Sequence, residues 1–402
     1  MPSLGVARIS PLRSSSRRRW LADAARWSLA PLLVGTLPAC APVGLRPGNA
    51  GRRPQLRLLG EERLPYRQDF RHTVVGGLSG LDHDPATGRW YALSDDRSEH
   101  SPARFYTLAM TVSEAGITGL HIEDVTLLRD TQGRTYPNRQ QADADHPDIP
   151  DPESIRFRPE TRTLLWTSEG DVNRGLPPAL REMSLDGRLL REFSLPDMLE
   201  LGADDAHGPR NNLSFEGIAL SPSGRHVWVS MEAPLAQDGP LPTASRPGGP
   251  CRLTRFDLAT GRADRQIAYQ PDALPRSPLP PGAPADNGIS EILMQDEHQL
   301  LLLERAYMTG VGVSLAVYRI DTRQAPDTLA LATLGPGTVV APKTLVADFS
   351  ALGISRLDNT EGMCWGPTLA NGHRSLVFVS DDNFNPLQIT QFLACEFLPE
   401  TN

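Results

Sequence analysis

A hairpin pattern that recurs five times is the feature that most constrains how this chain can fold. In its clearest copy, residues 212–232, a short apolar strand begins at Glu216 and Gly217, turns at a Pro-Ser-Gly sequence and returns as an alternating strand that ends at Glu232. The five copies begin at Ser79, Glu153, Glu216, Glu291 and Glu361. Successive copies start about 60 to 75 residues apart, a period that suits a propeller blade with long loops better than a β-solenoid.

The strands around these copies predict an all-β chain, a β-propeller of five four-stranded blades. The fifth copy has three obvious strands, the last at residues 389–397, and we expect residues 55–60 to supply the fourth. Closing the ring with an N-terminal strand would leave no open edge. A six-bladed ring is the alternative. It would need a further blade in the polar segment 130–150 or in the Pro-rich stretches 270–284 and 325–342, which alternate too little.

The N-terminal region reads as an export signal rather than as part of the fold. Arg17, Arg18 and Arg19 followed by Trp20 resemble a twin-arginine signal, and the apolar stretch 27–37 is too short to span a bilayer. The stretch ends in Leu-Pro-Ala-Cys, which is similar to a bacterial lipobox whose Cys40 would be lipidated after cleavage. An ordinary signal peptide with an incidental cysteine is the alternative.

These features divide the chain into a signal peptide at residues 1–39, a Pro/Gly/Arg-rich tether at 40–54 and a propeller domain at 55–402. We therefore expect an exported, periplasmic lipoprotein that touches the membrane through its lipid anchor only, and we expect a monomer. The formal net charge is −8, and residues 1–39 carry six arginines against one aspartate, so their removal makes it more negative. Such a charge disfavours nucleic acid as a partner.

Three cysteines remain once Cys40 is assigned to the anchor: Cys251, Cys364 and Cys395. Cys364 and Cys395 fall on the first and third strands of one predicted blade, which are not neighbours in a meander. We expect buried thiols rather than a disulfide, and the Cys/His spacing does not match a zinc site.

Several of the repeated motifs also resemble a known family. They are residues 76–81 with 94–97, residues 214–217, and residues 380–384. The chain from Gly76 to its C-terminus is similar to bacterial phytase-like proteins described as having "esterase-like activity of phytase". The resemblance implies a β-propeller domain of exported proteins. A more distant likeness to calcium-dependent β-propeller phytases suggests phosphate-ester chemistry.

The acids of the hairpins should converge, because the first strand of each propeller blade lines the central channel. One ring would comprise Glu153, Glu216, Glu291 and Glu361, with Ser79 in blade one. A second set, at the ends of the second strands, would comprise Asp95, Asp96, Glu169, Glu232, Glu304, Asp381 and Asp382. Converging carboxylates raise one another's pKa unless positive charge is present. Calcium, which takes six to eight oxygen ligands, is the metal that such a set predicts.

Two other interpretations of the acids remain open at this stage. Arg97, Arg174 and Arg305 follow closely after acids, so they could be the counterions, or they could bind an anionic substrate in bidentate fashion. A repeated acid at a strand end can also simply cap backbone N–H groups and join neighbouring blades. The doubled acids Asp95-Asp96 and Asp381-Asp382 look less like caps.

Three functions are compatible with this pattern. In the first, calcium held by the channel acids assists hydrolysis of a small anionic or ester substrate, with Asp95, Asp96, Arg97 and Arg305 as the candidate catalytic residues. The second is a non-catalytic propeller lipoprotein that binds a ligand or partner. The third is a calcium-dependent lactonase. A Gly-x-Ser-x-Gly motif is absent from the sequence, so no serine nucleophile is visible.

Overall fold

The computed structural model describes residues 55–398, apart from 203 and 205, together with residue 400. These residues form five antiparallel four-stranded sheets arranged as the blades of a β-propeller. This confirms the predicted fold class and the count of five blades over six. The predicted signal peptide 1–39, Cys40 and the tether up to residue 54 lie outside the described residues.

The strands follow the predicted order. Strand β1 (Gln55–Arg63) comes first, and the small hairpin of β2 (Asp69–Phe70) and β3 (Thr73–Val74) follows it. Blade one comprises β4 (Leu78–Asp84), β5 (Arg89–Ser94), β6 (Arg104–Ser113) and β7 (Gly116–Leu127). Blade two comprises β8 (Pro152–Arg158), β9 (Thr163–Ser168), β10 (Ala179–Ser184) and β11 (Leu189–Glu192). Blade three comprises β12 (Phe215–Leu220), β13 (His226–Met231), β14 (Cys251–Asp257) and β15 (Arg262–Tyr269).

Blade four comprises β16 (Ala285–Met294), β17 (Gln299–Met308), β18 (Gly312–Asp321) and β19 (Lys343–Asp348). Blade five comprises β20 (Thr360–Thr368), β21 (Arg374–Ser380), β22 (Gln391–Leu398) and the N-terminal β1. Strand β1 pairs with β22 from Gln55 opposite Leu398 to Arg63 opposite Gln391. The predicted closure of the ring is therefore confirmed. Short 3₁₀ turns lie in the loops at Val172–Arg174, Asp197–Leu199, Ala236–Asp238, Thr322–Gln324 and Phe349–Ala351.

The hydrophobic core lies between adjacent blades. In one cluster, Leu81, Trp90 and Tyr106 of blade one are buried together with Val377 and Phe392 of blade five. Burial between sheets in this way supplies most of the stability of such a fold. The structure also confirms that Cys251, Cys364 and Cys395 are buried free thiols. Among the described residues, no helix has the length and apolar character needed to cross a membrane.

Glycine follows the first polar residue of the hairpin in three copies because the inner strands of neighbouring blades come very close there. A Cβ atom at Gly80 would lie 2.8 Å from the carbonyl oxygen of Glu153, and one at Gly217 would lie 2.5 Å from the backbone N of Ile292. Side chains other than hydrogen do not fit at such distances. In copies two and four the equivalent positions are Ser154 and Glu291, whose side chains hydrogen-bond to each other at 2.8 Å.

A single arginine, Arg156, ties four of the five inner strands together. Its Nη1 donates to the carbonyl oxygens of Leu81 and Ile155, both at 2.8 Å. Its Nη2 donates to those of Ile292 at 3.0 Å and Met363 at 2.9 Å. These carbonyls belong to blades one, two, four and five, so the guanidinium spans the channel at this level.

Glu291 is the ion-pair partner of this arginine. Its Oε2 lies 3.0 Å from Arg156 Nη2, and its Oε1 accepts hydrogen bonds from the backbone N–H groups of Ile218 and Ile292 at 3.0 and 2.9 Å. Burial nevertheless raises the pKa of Glu291 to about 7, outweighing the attraction of Arg156. The channel is therefore closed by a buried pair whose carboxyl group titrates near neutral pH.

This raised pKa predicts a specific pH dependence of stability. Because the folded pKa of Glu291 lies above the ordinary value of 4.5, its contribution is complete below pH 4.5 and is lost as the pH rises through about 7. The Glu291→Gln variant cannot titrate. We expect its deficit in unfolding free energy relative to wild type to shrink by about 3 kcal/mol over this interval. Denaturant unfolding at fixed saturating calcium measures this difference, and a deficit that stays constant with pH would contradict the assignment.

Candidate metal-binding site in the central channel

The strand register aligns the five hairpins and shows which residues occupy equivalent positions at the channel. The aligned pairs are Leu78 with Ser94, Pro152 with Ser168, Phe215 with Met231, Ile289 with Glu304, and Thr360 with Ser380. The next residues on the first strands are Ser79, Glu153, Glu216, Ser290 and Glu361. On the second arm of each hairpin, the residues that follow these partners are Asp95, Glu169, Glu232, Arg305 and Asp381. Both sets are built mainly of acids, as the repeat predicts.

These acids surround one small cavity, which we call the acidic cavity. It is lined by Asp95, Asp151, Glu153, Glu169, Asn212, Glu216, Asn359, Glu361, Asp381 and Asn383. The seven carboxylic acids among them are all buried. The cavity has a volume of about 20 Å³, enough for one water molecule or a cation and too small for an ester substrate.

The carboxylate oxygens are close enough together to coordinate a metal ion. Those of Asp151, Glu153 and Glu169 lie within 4.8 Å of one another, and so do those of Glu169, Glu216 and Glu232. Glu169 belongs to both groups. Burial raises the pKa of Glu153 well above its usual range, and the neighbouring Glu216, Glu169, Asp95 and Glu361 raise it further. A bound cation would relieve this repulsion, and an all-oxygen donor set fits calcium.

Two arginines supply positive charge to this region among the residues that the structure describes. Arg305 Nη2 lies 3.0 Å from Glu232 Oε1 and 3.3 Å from Glu361 Oε1. Arg97 forms an ion pair with Asp151 and donates to Asn212 Oδ1 at 2.7 Å. Both arginines are buried, so the structure places them as counterions of the acids. Arg174, the third candidate counterion from the sequence, is exposed in the 3₁₀ turn after β9.

In each pair of consecutive acids, Asp95-Asp96 and Asp381-Asp382, the two residues have different roles. Asp95 and Asp381 line the acidic cavity, whereas the acid after each of them holds a loop. Asp96 accepts hydrogen bonds from the backbone N–H groups of Glu99 and Ser101, both at 2.8 Å, and pairs with Arg104 at 2.8 Å. Asp382 likewise accepts from the backbone N–H groups of Gly77 and Phe384 and from Thr390 Oγ1.

Glu291 and Glu304, like Asp96 and Asp382, are not brought to the acidic cavity. Glu232 does not line the cavity either, although its carboxylate lies within 4.8 Å of those of Glu169 and Glu216. The hairpin of copy four is one residue shorter than that of copy one, so Glu291 shifts by one position and Ser290 faces the ring. Glu304 instead accepts hydrogen bonds from Tyr269 Oη at 2.5 Å and Lys343 Nζ at 2.6 Å. Both predicted sets are therefore corrected in copy four, where Ser290 takes the place of Glu291 and Arg305 that of Glu304.

The sequence interpretation missed four residues of the acidic cavity, Asp151, Asn212, Asn359 and Asn383. Two of them leave a local signal, since Asp151 and Asn359 each stand two positions before a ring glutamate. The other two lie in loops. Asn212 and Asn383 are also the more exposed lining residues, and they mark the open end of the cavity.

Four of the eight described non-glycine residues with a positive φ angle lie in the loops around this open end. Ser98, Asn212, Asn383 and Phe384 have φ angles of 58°, 57°, 48° and 50°, in the left-handed region that side chains other than glycine rarely adopt. Such strain persists only where the surrounding contacts enforce it, and it is concentrated at functional sites. The four residues follow the second strands of blades one and five or precede the first strand of blade three.

Other features of the surface are less suited to a site. A larger cleft of about 720 Å³ lies beside the outermost strands of blades two and three and shares no residue with the acidic cavity. His226, Asp257 and Asp264 also cluster, but they are only partly buried or exposed. Arg255 already pairs with Asp264 at 2.8 Å, and Asp257 caps the turn at Ala259 and Thr260.

The comparison with protein families agrees with the motifs. The family model described as "Phytase-like: Esterase-like activity of phytase" matches residues 73–384. No curated protein matches the chain.

The solved structures to which this chain is similar are distant in sequence. They include an α-L-arabinofuranosidase from Lactobacillus brevis, with a TM-score of 0.42 and 9% identity over 80% of this chain and 91% of that one. An endo-1,4-β-xylanase from Bacteroides thetaiotaomicron has a TM-score of 0.41 and 8% identity over 81% and 97%. A gluconolactonase from Xanthomonas campestris has a TM-score of 0.31 and 11% identity over 88% and 99%. Scores this low carry no inference about activity.

The position of Arg305 predicts how charge in the acidic cavity controls cation dependence. Replacing Arg305 by Gln leaves Glu232 and Glu361 without this guanidinium, and breaking a buried ion pair costs about 3–5 kcal/mol. We expect the variant to have a lower Tm in chelator and a larger increase in Tm on adding calcium than wild type. Thermal unfolding with and without calcium measures both effects.

The exposed Arg174→Gln variant is the control and should behave as wild type. Equal calcium-induced shifts in the Arg305→Gln variant and wild type would contradict the charge assignment.

Proposed function

The chain belongs to the phytase-like family, described as having esterase-like activity of phytase, and we propose that it is a calcium-assisted hydrolase of phosphate or other esters. The observation that carries the proposal is the approach of the carboxylate oxygens of Asp151, Glu153 and Glu169 to within 4.8 Å of one another in a buried cavity. Ionised carboxylates held this close are unfavourable without a cation.

The residues that would hold calcium are the two overlapping groups around Glu169, with Glu361, Asp95 and Asp381 completing the wall. When bound there, calcium would neutralise the acids and polarise an ester oxygen. Arg97 and Arg305 fix the orientation of Asp151, Glu232 and Glu361, so the ligand geometry is set before any ion arrives.

The open end of the acidic cavity is where an ester would have to bind, because the cavity itself has room for an ion only. Asn212 and Asn383 flank this opening. The Asn383 Nδ2 group donates no hydrogen bond to any residue that the structure describes. An amide donor in this position can hold an ester oxygen at the rim of the cavity.

The small volume of the acidic cavity also favours a second candidate. A metal ion enclosed by protein oxygens can be purely structural, in which case the propeller would be a non-catalytic binding module. A lactonase would use the same calcium site as the phosphate-ester hydrolase. Turnover assays therefore separate the catalytic and structural alternatives.

Export is proposed on the sequence motifs alone. We propose that residues 1–39 direct the chain out of the cytoplasm and that Cys40 carries the lipid anchor of a periplasmic, monomeric lipoprotein. The Cys40→Ala variant should then move from the membrane fraction to the soluble fraction and lose incorporation of labelled palmitate. A wild-type protein that takes up no label, or a variant that stays membrane-bound, would contradict the anchor.

Glu169 and Glu304 test the metal site, because the sequence repeat predicts both in the second set of acids, whereas in the structure only Glu169 lines the acidic cavity. In Glu169→Gln, we expect the calcium-induced increase in Tm, several degrees for wild type at about 100-fold excess over Kd, to be lost. In Glu304→Gln, which lies outside the acidic cavity, we expect the calcium-induced shift to survive even if the baseline Tm falls.

Activity is then measured against phosphate esters, carboxyl esters and lactones. For the hydrolase we expect turnover that chelator abolishes and that Asp95→Asn lowers by about 100-fold or more. Asp382→Asn should act mainly on stability, because Asp382 holds a loop. Calcium binding without turnover of any ester would favour the non-catalytic candidate. Equal calcium-induced Tm shifts in the Glu169 and Glu304 variants would contradict the proposed metal site.

A further inference from the structure

A second cavity, which we call the side pocket, has a volume of about 450 Å³. One of its walls is the loop at residues 98–102 of blade one, and the other comes from the polar insertion, residues 130–150, between blades one and two. The insertion forms no blade strand, and nothing in the proposed metal site accounts for it. A volume of this size falls within the range of small-molecule sites, roughly 300–1,000 Å³.

The loop after β5 lines both cavities. Asp95 contributes to the acidic cavity, and Ser98 to Pro102 line the side pocket. The Cα atoms of Asp95 and Ser98 cannot be more than about 11 Å apart, since they are three residues apart. One short loop therefore contributes to the walls of both cavities.

A hydrogen bond attaches the insertion to this loop, and an ion pair attaches it to residues beside the channel. Ser98 Oγ donates to the carbonyl oxygen of Tyr136 at 3.0 Å, which joins the two walls. Arg139 pairs at 2.9 Å with Asp171, which also lies 3.8 Å from Arg97. Asp96, completely buried, holds the loop by accepting from three successive backbone N–H groups. The pocket walls are thus pre-formed, which favours ligand binding.

The chemistry of the lining distinguishes between substrate classes. The residues that line the side pocket include Ser98, Ser101, Thr135, Asn138, Gln141 and His146, whose side chains carry hydroxyl, amide and imidazole groups. Among the described residues of this lining there is no arginine or lysine, and Glu99 adds negative charge. Multiply phosphorylated ligands are bound in proteins by clusters of arginine and lysine. The pocket therefore suits an uncharged ligand with many hydroxyl groups.

We propose that the side pocket binds the leaving or acyl portion of an uncharged, hydroxyl-rich carboxylic ester or lactone, and that inositol hexakisphosphate is not the substrate of this chain. The inference rests on the proposed hydrolase function and names its substrate class. The hydrolysis adds one water across the ester C–O bond, with no further reactant. An open-chain ester yields a carboxylic acid and an alcohol, and a lactone yields one hydroxy acid.

Two neighbouring glutamines provide a matched test. Gln140 and Gln141 are both exposed on the insertion, but only Gln141 lines the side pocket. With the full protein and calcium present, hydrolysis of glucono-1,5-lactone is followed by proton release, and that of inositol hexakisphosphate by phosphate release. We expect the lactone to have the higher kcat/KM, and Gln141→Trp to raise KM for the lactone about tenfold by filling the pocket. Gln140→Trp should leave KM unchanged within about twofold, and both variants should keep the calcium-induced Tm shift.

Each outcome decides the proposal. A preference for inositol hexakisphosphate, or equal effects of the Gln141→Trp and Gln140→Trp changes, would overturn it. If wild type hydrolyses no ester at all, the proposed hydrolase function fails, and binding of the corresponding lactam, measured by calorimetry, still tests the pocket. Lactam binding that Gln141→Trp abolishes and Gln140→Trp retains supports the pocket, whereas the absence of binding to wild type overturns it.

Discussion

Mutual repulsion of acids at the axis of the propeller is the constraint on which the rest of this structure depends. In every blade the first polar residue of the repeated hairpin lies at the propeller axis. An acid that the repeat keeps at this position therefore occurs several times around the ring. Burial then strengthens the repulsion, as the raised pKa of Glu153 shows. Two features of the chain reduce this repulsion: the buried guanidinium groups of Arg97 and Arg305, and serine instead of an acid at positions 79 and 290. The remaining acids form a set of oxygen donors that fits calcium.

Along the channel axis, the acidic cavity lies between loops at its open end and the side chain of Arg156 further along the channel. At the open end, residues in left-handed backbone conformations, among them Asn212 and Asn383, hold loops around the acidic cavity. Arg156, three residues beyond Glu153 and about 10 Å further along β8, spans the axis and bonds carbonyls of four blades. Arg156 therefore closes the channel beyond the acidic cavity. The loop after β5 lies at the other, open end, so the side pocket and the acidic cavity share this loop.

Much of this could be predicted from the sequence, because the repeat is local. The hairpin spacing identified five blades, the missing strand of the last blade identified β1 as its partner, and Glu153, Glu169 and Glu216 were placed together correctly. Copy four could not be aligned by its acids, because its hairpin is one residue shorter and the acids at 291 and 304 lie one position away from the ring. Loop residues such as Asn383, and the bonds of Arg156 across the ring, depend on tertiary contacts that no local pattern records.

The central claim is that the acidic cavity is a cation site, and anomalous diffraction from crystals soaked with terbium in place of calcium tests it most directly. The account predicts a strong anomalous peak among Glu153, Glu169 and Glu216, with carboxylate oxygens at about 2.3–2.6 Å in the calcium form. A cavity that holds only water under these conditions, or a peak confined to the surface cluster at His226, would contradict it.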